Sequence, residues 1–346
     1  MKPLLLFLIL SFAIACQSEK EESSAYETTT LVDYKVMIDY ADQKLLQPGQ
    51  LVISEEPERI VVADNGDNLL KLFNPEGELI DEFGTEGSGP GEFMAINSLH
   101  YFKDALYAYD EGLSRFSKFD LEGGYVDSYP LQTGELPFTY HTVFEGKLVT
   151  STAGAGESLV ATFTKDGTPE DTLGRSHSPV AEMGPIMTEI PQQAENRQVP
   201  DYFTNIANLI SNDDYLWAAM TAYPKLYRID SSWQMDSFSF EVERAELIED
   251  YYFEQQSGTG PVLNMQYISD LAVTDQYLYV LNTVNFTEDY AAVIYQVNHE
   301  GHIENRYKLP EHTGHSYRIA ANQDDEHVYV INQDEASLIR YDLHQP

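Results

Sequence analysis

Several things are scarce in this chain. One cysteine in 346 residues excludes a disulfide framework. Lys and Arg number 20 against 57 Asp and Glu, so the net charge of -37 argues against nucleic acid and anionic membrane surfaces as partners. No apolar run is long enough to span a bilayer. There is no G-x-S-x-G elbow, and the one glycine-rich stretch lacks the Lys-Ser/Thr and the strand-loop-helix setting of a phosphate cradle.

The N-terminus carries an export pattern. Lys2 supplies a short positive region, Leu4 to Ile14 an apolar stretch of signal-peptide length, and small residues precede Cys16. The sole cysteine therefore falls at the cleavage point, where a bacterial lipoprotein is acylated. Residues 1–16 are expected to be a lipoprotein signal with a lipidated Cys16. Residues 17–30, QSEKEESSAYETTT, offer little to bury and are expected to form a flexible acidic tether. That leaves residues 31–346 for one large β domain.

A repeat organises the rest. Ile60 to Ala63, Leu69 to Phe73 and Glu78 to Phe83 read as strands separated by Asp64-Asn65-Gly66-Asp67-Asn68 and Asn74-Pro75-Glu76-Gly77. Those are hairpin residues, which supply positive φ, side-chain-to-backbone bonds or a fixed φ. The large residue ending the middle strand recurs as Phe73, Phe119, Phe163, Ile229, Val297 and Tyr341, at steps of 46, 44, 66, 68 and 44 residues. A period near 44 suits four-stranded propeller blades, and two steps carry about 22 extra residues each. The sixth unit lacks an outer strand, which Leu31 to Ile38 can supply. The expected fold is all-β: a six-bladed propeller of four-stranded antiparallel blades, closed by an N-terminal strand so that no edge is left open.

Phe83-Gly84 and Gly87-Ser88-Gly89-Pro90-Gly91-Glu92-Phe93 resemble the G-x-G-P-G-E-F corner of NHL-repeat propellers, and Ala63-Asp64, Gly66 and Phe73 match the strand and turn ahead of it. The arginine that such repeats carry before the anchor is Leu69 in the first unit and Arg115 in the second. With the export pattern, the chain is similar to the six-bladed propeller lipoproteins of Bacteroidota. That resemblance implies a cell-envelope protein anchored to the outer membrane, facing the periplasm or the surface.

The extra residues fall at 175–203 and 242–266, both between an outer strand and the next inner one and hence on one face of the disc. Residues 175–203 read as a loop with little regular structure; in the other, Leu247, Ile248, Tyr251 and Tyr252 recur at helical spacing. Long insertions in a compact domain are where binding residues collect. The ligand-contact candidates are Tyr202, Tyr251, Tyr252, Arg175 and His177. The expected function is non-catalytic binding of an envelope protein, peptide or glycan by a monomer held to the membrane only by its lipid. The alternative is a lyase or lactone hydrolase with a divalent cation, Ca²⁺, in the central channel. In gluconolactonase-like propellers such a cation takes oxygen ligands from different blades, and Asp110, Asn282 and Asn332 stand at comparable strand ends here. Separately, Asp64 and Asp67 resemble the first half of a calcium loop, but a plain hairpin is favoured because Pro75 stands where that loop needs Glu. The histidines at 299, 302, 312 and 315 read as turn residues rather than zinc ligands.

Overall fold

A computed structural model describes residues 27–54, 57–131, 140–154, 157–177, 191–200, 203–239, 241–242, 245–256, 265–283, 292–310 and 316–344. Six antiparallel meanders follow one another, each with an inner strand at the channel and an outer strand at the rim. The inner strands are Pro48–Ser54, Ile96–Phe102, His141–Phe144, Ala207–Ser211, Asp270–Val273 and Tyr317–Ala321. The expected six-bladed propeller is the observed fold. No helix among the described residues is long and apolar enough to cross a membrane.

The N-terminus closes the ring. Tyr34–Ile38 pairs antiparallel with Ser337–Asp342 and completes the sixth blade. Just before it, Glu27–Thr30 adds a parallel fifth strand to the outer strand Ile303–Lys308 of the fifth blade. Adjacent blades are thus stitched by one short segment, a contact that the tether-like composition gave no reason to expect.

The core consists of six apolar layers, one between each pair of neighbouring blades. The periodic anchors form part of them: Phe73, Phe119, Phe163, Ile229, Val297 and Tyr341 are at most 4% exposed. Second strands such as Ala105–Asp110 and Tyr277–Asn282 are covered on both faces, which is why they read as continuous apolar runs. At the glycine-rich corner, Gly84 has φ of 87° and the buried Phe93 ring presses against its Cα, leaving no room for a Cβ. The Arg115 guanidinium donates to the carbonyls of Ser88, Gly89 and Glu92. The corner is a blade-to-blade joint held by an arginine.

In such meanders, outer-to-inner connections and second-to-third hairpins emerge on one face. The insertions therefore share a face, and they also pack together. Ala194, Phe203, Val242, Ile248, Tyr252, Phe253 and Met265 join one apolar cluster with Trp217 and Tyr295 of the fourth and fifth blades. Residues 191–195 are helical, Phe203–Asn205 is a 3-10 turn and Ala245–Gln256 is an α-helix, so the first insertion has more regular structure than its composition suggested.

Candidate functional site

The oxygen-bearing residues Asp64, Asp110, Asn282 and Asn332 end the second strands of four different blades, and each serves its own blade. Asp64 accepts from the amides of Leu46, Gln47 and Gly66 at 2.7, 2.7 and 3.0 Å and from Lys71 at 2.8 Å. Burial pushes this carboxyl up, but the ammonium and amides outweigh it and hold Asp64 below its ordinary range. Asp67 also pairs with Lys71, at 2.7 Å. Asp110 accepts from Met94 and Leu113 amides at 2.6 and 2.9 Å. Asn282 donates to the Tyr267 carbonyl at 2.5 Å, and Asn332 accepts from Asp334 and Glu335 amides at 3.1 and 3.3 Å. This repeated use ties each outer-to-inner connection or hairpin to its blade, and it leaves Asp64 and Asp67 facing an ammonium where a cation would have to sit.

Among the described residues, the carboxylates of Asp324 and Glu326 and the His327 ring come within 4.8 Å of one another. Both His327 nitrogens are already engaged, Nε2 with Asp342 at 3.1 Å and Nδ1 with Asn322 at 3.3 Å. His299 packs its ring on Tyr215 at 4.7 Å, while His312 and His315 lie outside the described residues.

On the insertion face, Tyr252 is 3% exposed and belongs to the apolar cluster, and its hydroxyl has no hydrogen-bond partner among the described residues. Tyr251 is half-buried beside it; Tyr202 lies outside the described residues, as does Cys16. An ion pair between Arg197 and Asp250 bridges the two insertions, and the Arg197 guanidinium also sits 4.9 Å from the Phe253 ring centre. Beside this platform Arg175 and His177 line a cavity of about 580 Å³ with Tyr223, Lys225 and Tyr227. The Lys225 ammonium lies over the Tyr227 ring at 4.8 Å, and the His177 amide is held by Asn205 at 2.6 Å.

A second cavity, of about 430 Å³, is the central channel, lined by all six inner strands. Ser98, His141, Asp270 and Arg318 stand at one level of it: each pairs with the residue just before Asp110, Ser151, Asn282 or Asn332. Burial pulls His100 down to about 4, against a smaller push from the His141 backbone. His141 is pulled down to about 3 by burial, with His100 adding to the effect. Both rings are neutral at pH 7. Burial pushes Asp270 up to about 6, against the pull of Arg318 and of the Ile319 and Leu271 amides.

A family described as a 6-bladed beta-propeller (DUF5128) matches residues 41–332. The chain belongs to that family. Solved structures are similar to the DUF5128 propeller at low identity. One from Bacteroides fragilis, described as an exported protein, is 12% identical with a TM-score of 0.56, covering 92% of this chain and 94% of that one. A DUF4221 family member from Bacteroides vulgatus is 11% identical, with a TM-score of 0.55 over 90% and 96% of the two chains. Virginiamycin B lyase from Staphylococcus aureus is 12% identical, with a TM-score of 0.48 over 91% and 90%. No curated protein matches the chain.

The channel residues of this DUF5128 propeller escape sequence reasoning because each blade contributes one or two and no local motif joins them. Their signal lies in the repeat itself. Aligning inner strands by the second-strand ends puts Ser98, His141, Asp270 and Arg318 in one row, and that row is polar.

Proposed function

We propose that this chain is a non-catalytic propeller of the cell envelope, tethered to the outer membrane through a lipid on Cys16, that captures an envelope protein, peptide or glycan on the face bearing its two insertions. One observation carries the reading. In a chain with 57 acidic and 20 basic residues, Arg175 and Lys225 meet at one cavity beside the joined insertions, with His177, Tyr223 and Tyr227 around them. Among the described residues neither Arg175 nor Lys225 has a carboxylate within ion-pair distance. Cations with aromatic walls in an otherwise acidic surface favour a partner that presents acidic groups. The N-terminal export pattern and the exported structural neighbour from Bacteroides fragilis support the location.

The test is affinity capture from envelope extracts. Wild-type protein should retain a discrete partner that an Arg175→Glu/Lys225→Glu double variant loses, with the melting temperature unchanged. Equal capture by both proteins would refute the assigned face. Separately, Cys16→Ala should move the protein from the membrane to the soluble fraction, and retention in the membrane would refute the lipid tether.

A further inference from the structure

Several polar groups of the central channel find no partner among the described residues. The Ser211 hydroxyl donates to the Val143 carbonyl at 2.6 Å, which leaves its oxygen to accept from Thr142 at 3.0 Å. The Thr142 oxygen then accepts from His100 Nδ1 at 3.2 Å. This assignment, the one that satisfies all three contacts, puts the His100 proton on Nδ1 and leaves Nε2 as a bare acceptor. Among the described residues, His100 Nε2 has no hydrogen-bond partner, nor has either side-chain amide atom of Asn208, the Ser98 hydroxyl or Arg318 Nε. His100, Ser98 and Asn208 are 8%, 9% and 4% exposed. The remaining Arg318 contacts are long ones, from Nη1 to the carbonyls of Ser269 and Tyr317 at 3.5 and 3.4 Å. Asp270 makes no ion pair with it, since the Asp270 Oδ2 accepts from the Ile319 amide at 2.8 Å and no Arg318–Asp270 contact falls within ion-pair distance.

Buried polar atoms left unpaired are costly, so a channel that collects them from several blades is built for something that pairs with them. The inventory is specific. A planar guanidinium is suited to a carboxylate, a bare imidazole nitrogen to a hydroxyl donor, and a carboxamide and a serine hydroxyl to groups that both give and accept. We propose that the central channel is a second binding site, distinct from the insertion face, for a monosaccharide-sized sugar acid: its carboxylate on Arg318 and its hydroxyls on His100 Nε2, Asn208 and Ser98. The cavity of about 430 Å³ is of the size that small-molecule sites have.

Calorimetric titration of the purified chain tests this with D-glucuronate and D-galacturonate, against D-glucose and D-galactose, which lack the carboxylate, and acetate, which lacks the hydroxyls. A uronate should bind with a sub-millimolar Kd, and its neutral counterpart and acetate at least about 10-fold more weakly. Arg318→Gln should reduce the uronate to the affinity of the neutral sugar, Arg318→Lys should restore part of the difference, and Asn208→Leu should weaken both sugars. Should Arg318→Gln fail to fold, Arg318→Lys and Asn208→Leu decide between the two outcomes. Arg175→Glu/Lys225→Glu should leave uronate binding intact, so this site and the partner face fail separately. No measurable heat with either uronate, equal affinity for the neutral sugars, or indifference to the Arg318 and Asn208 substitutions would each overturn the proposal.

Discussion

The Lys71 ammonium lies 2.8 Å from Asp64 and 2.7 Å from Asp67, with the Lys71 and Asp64 side chains 3% and 0% exposed. Lys71 also donates to the Lys44 carbonyl at 3.0 Å, so all three of its donors are used. An acidic hairpin that resembles half of a calcium loop is thereby a closed cluster, with the cation supplied by the chain.

Breaking that cluster leaves a buried carboxylate uncompensated. Lys71→Met should lower the unfolding free energy by about 3–5 kcal/mol in urea denaturation, and a loss below about 1 kcal/mol would show that Asp64 does not depend on the ammonium.

Tyr252 separates a packing role from a ligand role. Its ring sits edge-on to Phe203 and Phe253 at 6.4 and 5.2 Å, whereas its hydroxyl is buried without a partner among the described residues. Tyr252→Phe should therefore leave the melting temperature unchanged or raise it, and Tyr252→Ala should cost about 3–5 kcal/mol. A destabilised Tyr252→Phe would mean that the hydroxyl is bonded after all.

Two glycines with similar backbones should respond differently to a methyl group. Gly84→Ala forces a Cβ to within 2.6 Å of the fully buried Phe93 ring at φ of 87°, while Gly146, at φ of 71°, has nothing within 4 Å among the described residues. The first should cost about 2–4 kcal/mol, from left-handed strain plus overpacking, and the second about 1–2 kcal/mol from strain alone. Equal losses in thermal melts would contradict the packing described for the corner.

Acidification should destabilise the fold through the channel. Unfolded histidine titrates near 6.5, whereas His100 and His141 are held at about 4 and about 3. Below pH about 6.5 the unfolded chain thus binds protons that the folded chain refuses, and stability falls as the pH drops from there toward 4. Asp270 acts in the opposite sense: its folded value of about 6 exceeds its unfolded value of 3.8, so its contribution to stability grows as the pH falls from about 6 toward 3.8. In melts from pH 7.5 to 4.5, His141→Phe, which keeps a ring against Tyr109, should flatten the acid loss, and Asp270→Asn should steepen it. Identical profiles for both variants and wild type would show that these groups do not govern the acid response.

The parts of the fold legible in the sequence are those set by local chemistry. Turn residues such as Asn74-Pro75-Glu76-Gly77 and buried anchors such as Phe73 and Tyr341 recur at short range, and they reveal blades and period. Pro48–Ser54 was not legible as an inner strand, because its Pro-Gly start and the register shift between Pro48 and Leu51 obscure strand alternation. Nor could composition show that Glu27–Thr30 pairs with a strand 278 residues further along, since four polar residues gain order only from the partner's open edge. The candidate sites divide in the same way. Arg175 and His177 are marked by their insertion and do line a cavity, whereas Lys225, Tyr223, His100, Asn208 and Arg318 sit inside regular blades, where nothing but the folded geometry distinguishes them.

The claim that the insertion face captures a partner is tested most directly by photo-crosslinking in intact cells. A photoreactive phenylalanine analogue at Tyr223, beside Arg175 and Lys225, should give a discrete adduct, and the same analogue at exposed Tyr125, on the rim of the second blade, should give none. Adducts of equal yield from both positions, or from Tyr125 alone, would contradict it.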